Sequence, residues 1–106
     1  MPSKADLDYL RELKAQHPFT GTRDRTAAGE ECKFKILGRG EMAFYQQGDR
    51  ALLMEVLAGY GVIFAYSIRR WDDGKKVTHE ERETIIEVVS RIMHQRGHEQ
   101  VEVVRS

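Results

Sequence analysis

The chain has one cysteine, Cys32, two prolines and one tryptophan among 106 residues. A single thiol cannot close an intramolecular disulfide, and nothing near it forms a metal knuckle, so a reducing compartment is expected. Excess charge is missing as well: 17 basic and 17 acidic residues cancel. A protein that holds duplex nucleic acid through its phosphates needs a basic excess or a basic stripe. Neither is visible, so no nucleic-acid partner is expected. Long apolar runs are also absent. None approaches the roughly 18 residues of a membrane helix, and residues 1–6 carry no apolar signal core. These absences together predict a cytoplasmic protein with no membrane partner.

Catalytic and cofactor signatures are equally sparse. Gly38, Gly40, Gly59 and Gly61 open no helix after a strand, and no Gly-Lys-Ser/Thr follows them, so they read as turn residues. His94 and His98 are four apart, but Gly97 ends the helix between them, and two metal ligands must share a helical face. His79 lies near Asp72 and Asp73 without an identifiable nucleophile or oxyanion feature. Cys32 would need a histidine base brought close by folding. The sequence therefore assigns no catalytic residue, no metal and no cofactor, and a non-enzymatic protein is expected.

What is present is the patterning of one small α+β domain over residues 1–106. Residues 1–32 read as a short helix and a loop. Ser3 and Asp6 resemble a capping box, Leu7, Leu10 and Leu13 follow at helical spacing, and the helix ends before Pro18. Thr20 to Glu31 shows no periodicity and reads as a loop. Residues 33–105 carry the β-meander, a helix and a final strand. Strands are expected around Phe34–Ile36, over Met42–Gln47, over Ala51–Leu57 and over Val62–Tyr66. Gly48-Asp49 fits a two-residue hairpin turn. It would set Gln47 opposite Arg50, Tyr45 opposite Leu52 and Ala43 opposite Met54, with Phe44 and Leu53 on the other face. Both faces are then partly apolar, so the N-terminal helix or a second subunit must cover one of them.

Thr78 and Glu81 form a clean capping box. Ile85, Ile86, Val89, Ile92 and Met93 give the apolar stripe of a helix near 78–96, closed by Gly97. Glu80, Glu83 and Glu87 line its outer face, either as a solvated surface or as a mimic of nucleic-acid phosphate. Val101, Val103 and Val104 supply a last strand. The expected architecture is an antiparallel meander of about four to five strands packed by the C-terminal helix, in the order α-β-β-β-β-α-β.

The strand Val62–Tyr66 runs out into Ser67-Ile68-Arg69-Arg70-Trp71, which holds the only tryptophan. Side chains at a strand exit are positioned by a scaffold and still reachable, and Trp and Arg dominate binding hot spots. Tyr66, Arg69, Arg70 and Trp71 are therefore the candidate interaction residues, although on the residues alone Trp71 reads more readily as a core side chain. Ser67-Ile68-Arg69-Arg70-Trp71, a polar gap, Thr78-His79-Glu80-Glu81-Arg82 and an Ile-rich helix before a terminal strand resemble the immunity protein 74 family of bacterial polymorphic-toxin systems. The Phe44–Arg50 hairpin is similar too, and the likeness spans about residues 33–105. The resemblance implies a non-enzymatic protein that binds and neutralises a cognate toxin, such as a nuclease, inside the cell. The alternative is a small homo-oligomeric regulatory or structural domain, dimerising through its doubly apolar sheet.

Overall fold

The computed structural model describes residues 3–106. Met1 and Pro2, the start of the polar N-terminal stretch, lie outside the described residues. Helix α1 (Lys4–Ala15) begins where the Ser3 hydroxyl accepts the amide of Asp6 at 3.1 Å. It ends ahead of Pro18, which disfavours helical backbone in the residue before it. Leu10 and Leu13 fall on one face of α1 and are buried.

The strands are β1 (Thr22–Arg25), β2 (Glu31–Leu37), β3 (Met42–Gln47), β4 (Arg50–Leu57), β5 (Val62–Phe64) and β6 (Glu102–Val104), adjacent in that order in one sheet. The β3–β4 register is the one that a two-residue Gly48-Asp49 turn dictates: Gln47 faces Arg50, Tyr45 faces Leu52 and Ala43 faces Met54. Gly48 takes φ +59°, a conformation that any side chain would strain. Strand alternation then splits the core. Tyr45, Leu52, Met54 and Val56 face the larger cluster, under the C-terminal helix. Phe44 and Ala51 face the other way, against Leu10 and Leu13 of α1. The second apolar face is thus covered by the N-terminal helix.

Helix α2 (His79–Gln95) starts from a complete capping box. Thr78 Oγ1 accepts the Glu81 amide at 3.1 Å, and Glu81 Oε1 accepts the Thr78 amide at 2.9 Å. Its stripe of Ile85, Val89, Ile92 and Met93 is buried on the sheet. The helix carries the chain back so that β6 lies parallel to β5, the long crossover a parallel pair requires.

The α+β architecture is as expected, with three corrections. The sheet is mixed rather than an antiparallel meander throughout, because β6 pairs parallel to β5. It has six strands rather than four to five, in the order α-β-β-β-β-β-α-β, because β1 lies inside the segment read as a loop. Its sequence, Thr-Arg-Asp-Arg, has no apolar alternation to reveal it. It is held instead by β2 on one side and by Arg91 of α2, whose guanidinium donates to Asp24 at 3.1 Å and to the Arg25 carbonyl at 2.6 Å. The bond from Arg91 keeps the Asp24 carboxyl below the usual carboxylate range. The strand expected over Val62–Tyr66 stops at Phe64 and passes into a 3₁₀ turn, Ala65–Ser67, so Tyr66 sits in a turn. Among the described residues, no helix is long and apolar enough to cross a membrane.

Leu10 is 2% exposed and anchors α1. Leu10→Ala is expected to cost about 2–4 kcal/mol in urea unfolding, whereas Leu7→Ala, at a half-buried position, costs less than half of that.

Candidate functional site

After the 3₁₀ turn, residues 69–77 fold into a tight hairpin. The Val77 amide donates to the Arg69 carbonyl at 2.8 Å, the Trp71 amide to Lys75 at 3.0 Å and the Gly74 amide to Trp71 at 3.0 Å, and Arg70 pairs with Lys76. Gly74 makes the reversal at φ +86°.

Trp71 points inward and has no exposed surface. Its ring lies 6.4 Å from that of Tyr45, and the Arg50 guanidinium sits 4.3 Å above it. The indole N–H donates to Glu81 Oε1 at 3.3 Å, while Glu81 Oε2 accepts from Arg50 at 2.6 Å. One carboxylate therefore caps α2, receives the indole and pairs with the cation stacked on that indole. Burial pushes the Glu81 carboxyl up, but the Thr78 amide, Arg50 and Trp71 together outweigh it and lower its pKa to about 2. Asp72 fastens the hairpin on the other side. Its amide donates to the Ala51 carbonyl at 2.8 Å. Its carboxylate accepts from the Ala51 amide at 3.1 Å and from Lys14 Nζ at 2.8 Å.

With Trp71 inside, its neighbours are left at the surface. Arg69 is exposed and its Nε donates to the Tyr66 carbonyl at 2.9 Å. Arg70 is half-buried and donates to the Gly74 carbonyl at 3.0 Å. Arg82, from the first turn of α2, donates to the Ile68 carbonyl at 3.1 Å. These three and Lys76 line a groove of about 710 Å³ that backs onto the buried Leu10, Leu52 and Val77 and the half-buried Leu53. Four cations meet a single carboxylate there, Asp6 of α1. Among the described residues, none of the four forms an ion pair with a carboxylate. Three arginines braced on backbone carbonyls have lost part of their side-chain freedom before any ligand arrives, which favours binding of an anion.

The candidate residues therefore divide. Arg69 and Arg70 share the groove. Tyr66 is 38% exposed, with its ring 5.7 Å from that of Phe64, outside the groove lining. Trp71 is corrected: a side chain with no exposed surface makes no contact with a partner, and its role is to hold the hairpin. Lys76 and Arg82 join the site without having been singled out for it. Lys76 belongs to a basic run that a solvated loop explains equally well. Arg82 reaches the groove only because the α2 N-terminus docks on the hairpin.

Other charged and nucleophilic groups are engaged elsewhere. On the acidic face of α2, Glu83 makes two bonds to Arg105, at 2.7 and 3.0 Å, which lower its carboxyl pKa, and Glu87 lies 3.8 Å from Arg91. Cys32 is buried with its sulfur 3.2 Å from the Tyr45 hydroxyl, and burial pushes both the thiol and the phenol up. His94 Nδ1 sits 3.1 Å from the His98 carbonyl. Among the described residues, no three His, Cys, Asp or Glu side chains are grouped to hold a metal ion.

A carboxylate whose folded pKa is depressed stabilises the fold above its unfolded pKa and loses that contribution as pH falls through the folded value. For Glu81 the window runs from 4.5 down to about 2. Glu81→Gln is expected to cost about 2 kcal/mol at neutral pH and to flatten the loss of stability across that window, as read from urea midpoints measured against pH. Trp71→Ala is expected to cost about 3–5 kcal/mol; an unchanged urea midpoint would mean that the indole does not anchor the hairpin.

Comparison of the chain with protein-family models, with curated proteins and with solved structures returns no match.

Proposed function

We propose that this chain is a non-enzymatic, immunity-type protein that acts in the cytoplasm by binding and neutralising a cognate protein toxin. The observation that carries the reading is the groove beside the 69–77 hairpin. The segment that resembles immunity proteins, Ser67-Ile68-Arg69-Arg70-Trp71 with Thr78–Arg82, is the segment that builds it: Trp71 and Glu81 fix the backbone, and Arg69, Arg70 and Arg82 present charge. A toxin blocker needs a rigid scaffold that offers a complementary patch, and a preorganised patch retains more of its contact energy as affinity. Self-association through the second sheet face is disfavoured, since α1 occupies that face.

The test is protection. The genes on either side of this one are searched for a toxin domain, the chain is co-expressed with the domain so found, and survival is scored for wild type and for Arg69→Glu/Arg70→Glu; neighbours that encode no toxin count against the proposal. Wild type is expected to protect. The double variant is expected to fail while keeping a wild-type urea midpoint, because both side chains lie outside the core. A wild-type protein that neither protects nor co-purifies with that toxin overturns the proposal.

A further inference from the structure

The groove has a direction. At Asp6 and Leu53 it runs on into a second depression of about 430 Å³ along α1, because both residues line both hollows. The character changes on the way. The end at the hairpin is cationic. The far end is lined by Tyr9, Leu37 and Met42 together with Arg39 and Glu41, whose opposite charges cancel, and there Tyr9 is 42% and Met42 37% exposed. Tyr9 and Met42, both open to the same hollow, offer a partner an apolar foothold. A small anion would occupy the first hollow only and leave the second without purpose. A nucleic-acid strand would use aromatic platforms along its track, whereas the apolar side chain left part-exposed between the two ends is the aliphatic Leu53.

We infer that this continuous groove seats an extended acidic–apolar segment of a partner protein. Two or more carboxylates lie on Arg69, Arg70 and Lys76, and an apolar side chain lies between Tyr9 and Met42. The inference rests on the reading of the groove as the contact face, and it names the chemistry that face selects. Asp6 stands at the junction and opposes an acidic ligand, so it sets an upper limit on affinity that a neutral residue would lift. Opposite charges across the interface fix which end of the segment goes where, and charged rims act mainly through specificity and encounter rate.

The probe is a capped peptide of three glutamates followed by two leucines, titrated into the full chain by calorimetry at low ionic strength, where surface charge is least screened. Binding is expected, with the methyl signals of Leu53, Met42 and Val77 shifting together in NMR spectra. Replacing the glutamates by glutamines, or the protein by Arg69→Glu/Arg70→Glu, is expected to weaken it at least about tenfold. Asp6→Asn is expected to tighten it about two- to fivefold. No peptide binding, binding indifferent to the arginine reversals, or oligothymidylate bound as tightly as the peptide would each overturn the inference. The two readings fail separately. Protection lost in the arginine variant without peptide binding leaves the toxin proposal standing alone. Peptide binding without protection leaves only the chemistry of the groove.

Discussion

The indole of Trp71 is buried between Tyr45, the stacked guanidinium of Arg50 and the carboxylate of Glu81, and the surface chemistry of this protein depends on that placement. A side chain of this size dominates the local energetics: full burial of the ring contributes several kcal/mol, whereas a stacked cation adds about 0.5–2 kcal/mol. The indole hydrogen bond, at 3.3 Å, is long and serves more to satisfy a buried donor than to add stability. The buried ring and the hydrogen bonds of the Trp71 and Asp72 amides together set the backbone path on either side of it. Arg69 and Arg70 then emerge on the outer side of the hairpin, and Lys76 joins them through its pairing with Arg70.

Asp72 extends the same constraint to the rest of the molecule. Its bonds to the amide and carbonyl of Ala51 and to Lys14 join the hairpin to β4 and α1, as Glu81 joins it to α2. The groove is therefore bounded by elements that the buried network already holds together. A net-neutral chain can still offer a cationic site, because its acidic residues other than Asp6 lie elsewhere, several of them paired: Glu83 with Arg105, Asp24 with Arg91, Asp72 with Lys14 and Glu81 with Arg50. Net charge sets long-range behaviour, but local imbalance sets what a groove binds.

How much of this was legible in the residues differs by element. The Gly48-Asp49 turn dictated the β3–β4 register, and Thr78 with Glu81 marked the start of α2, because both are local signals whose partners lie within a few residues. Strand β1 was illegible: four polar residues at a sheet edge bury almost no apolar surface, and they are held by the ladder with β2 and by Arg91, far along the chain. Trp71 was ambiguous for the same reason. Strand-exit residues read alike whether they turn in or out, and only the distant Arg50 and Glu81 decide the direction. Arg82 belongs to the groove by tertiary packing alone, with no sequence signal for that role.

Hydrogen exchange at single amides distinguishes a hairpin that belongs to the core from a loop laid upon it. The Trp71 and Val77 amides, bonded to Lys75 and Arg69, are predicted to exchange as slowly as the amides of β3 and β4, opening only with global unfolding. Rapid exchange of those two amides while β3 and β4 stay protected would contradict the account. It would mean that the hairpin opens independently and that the cations of the groove are not held in place by Trp71.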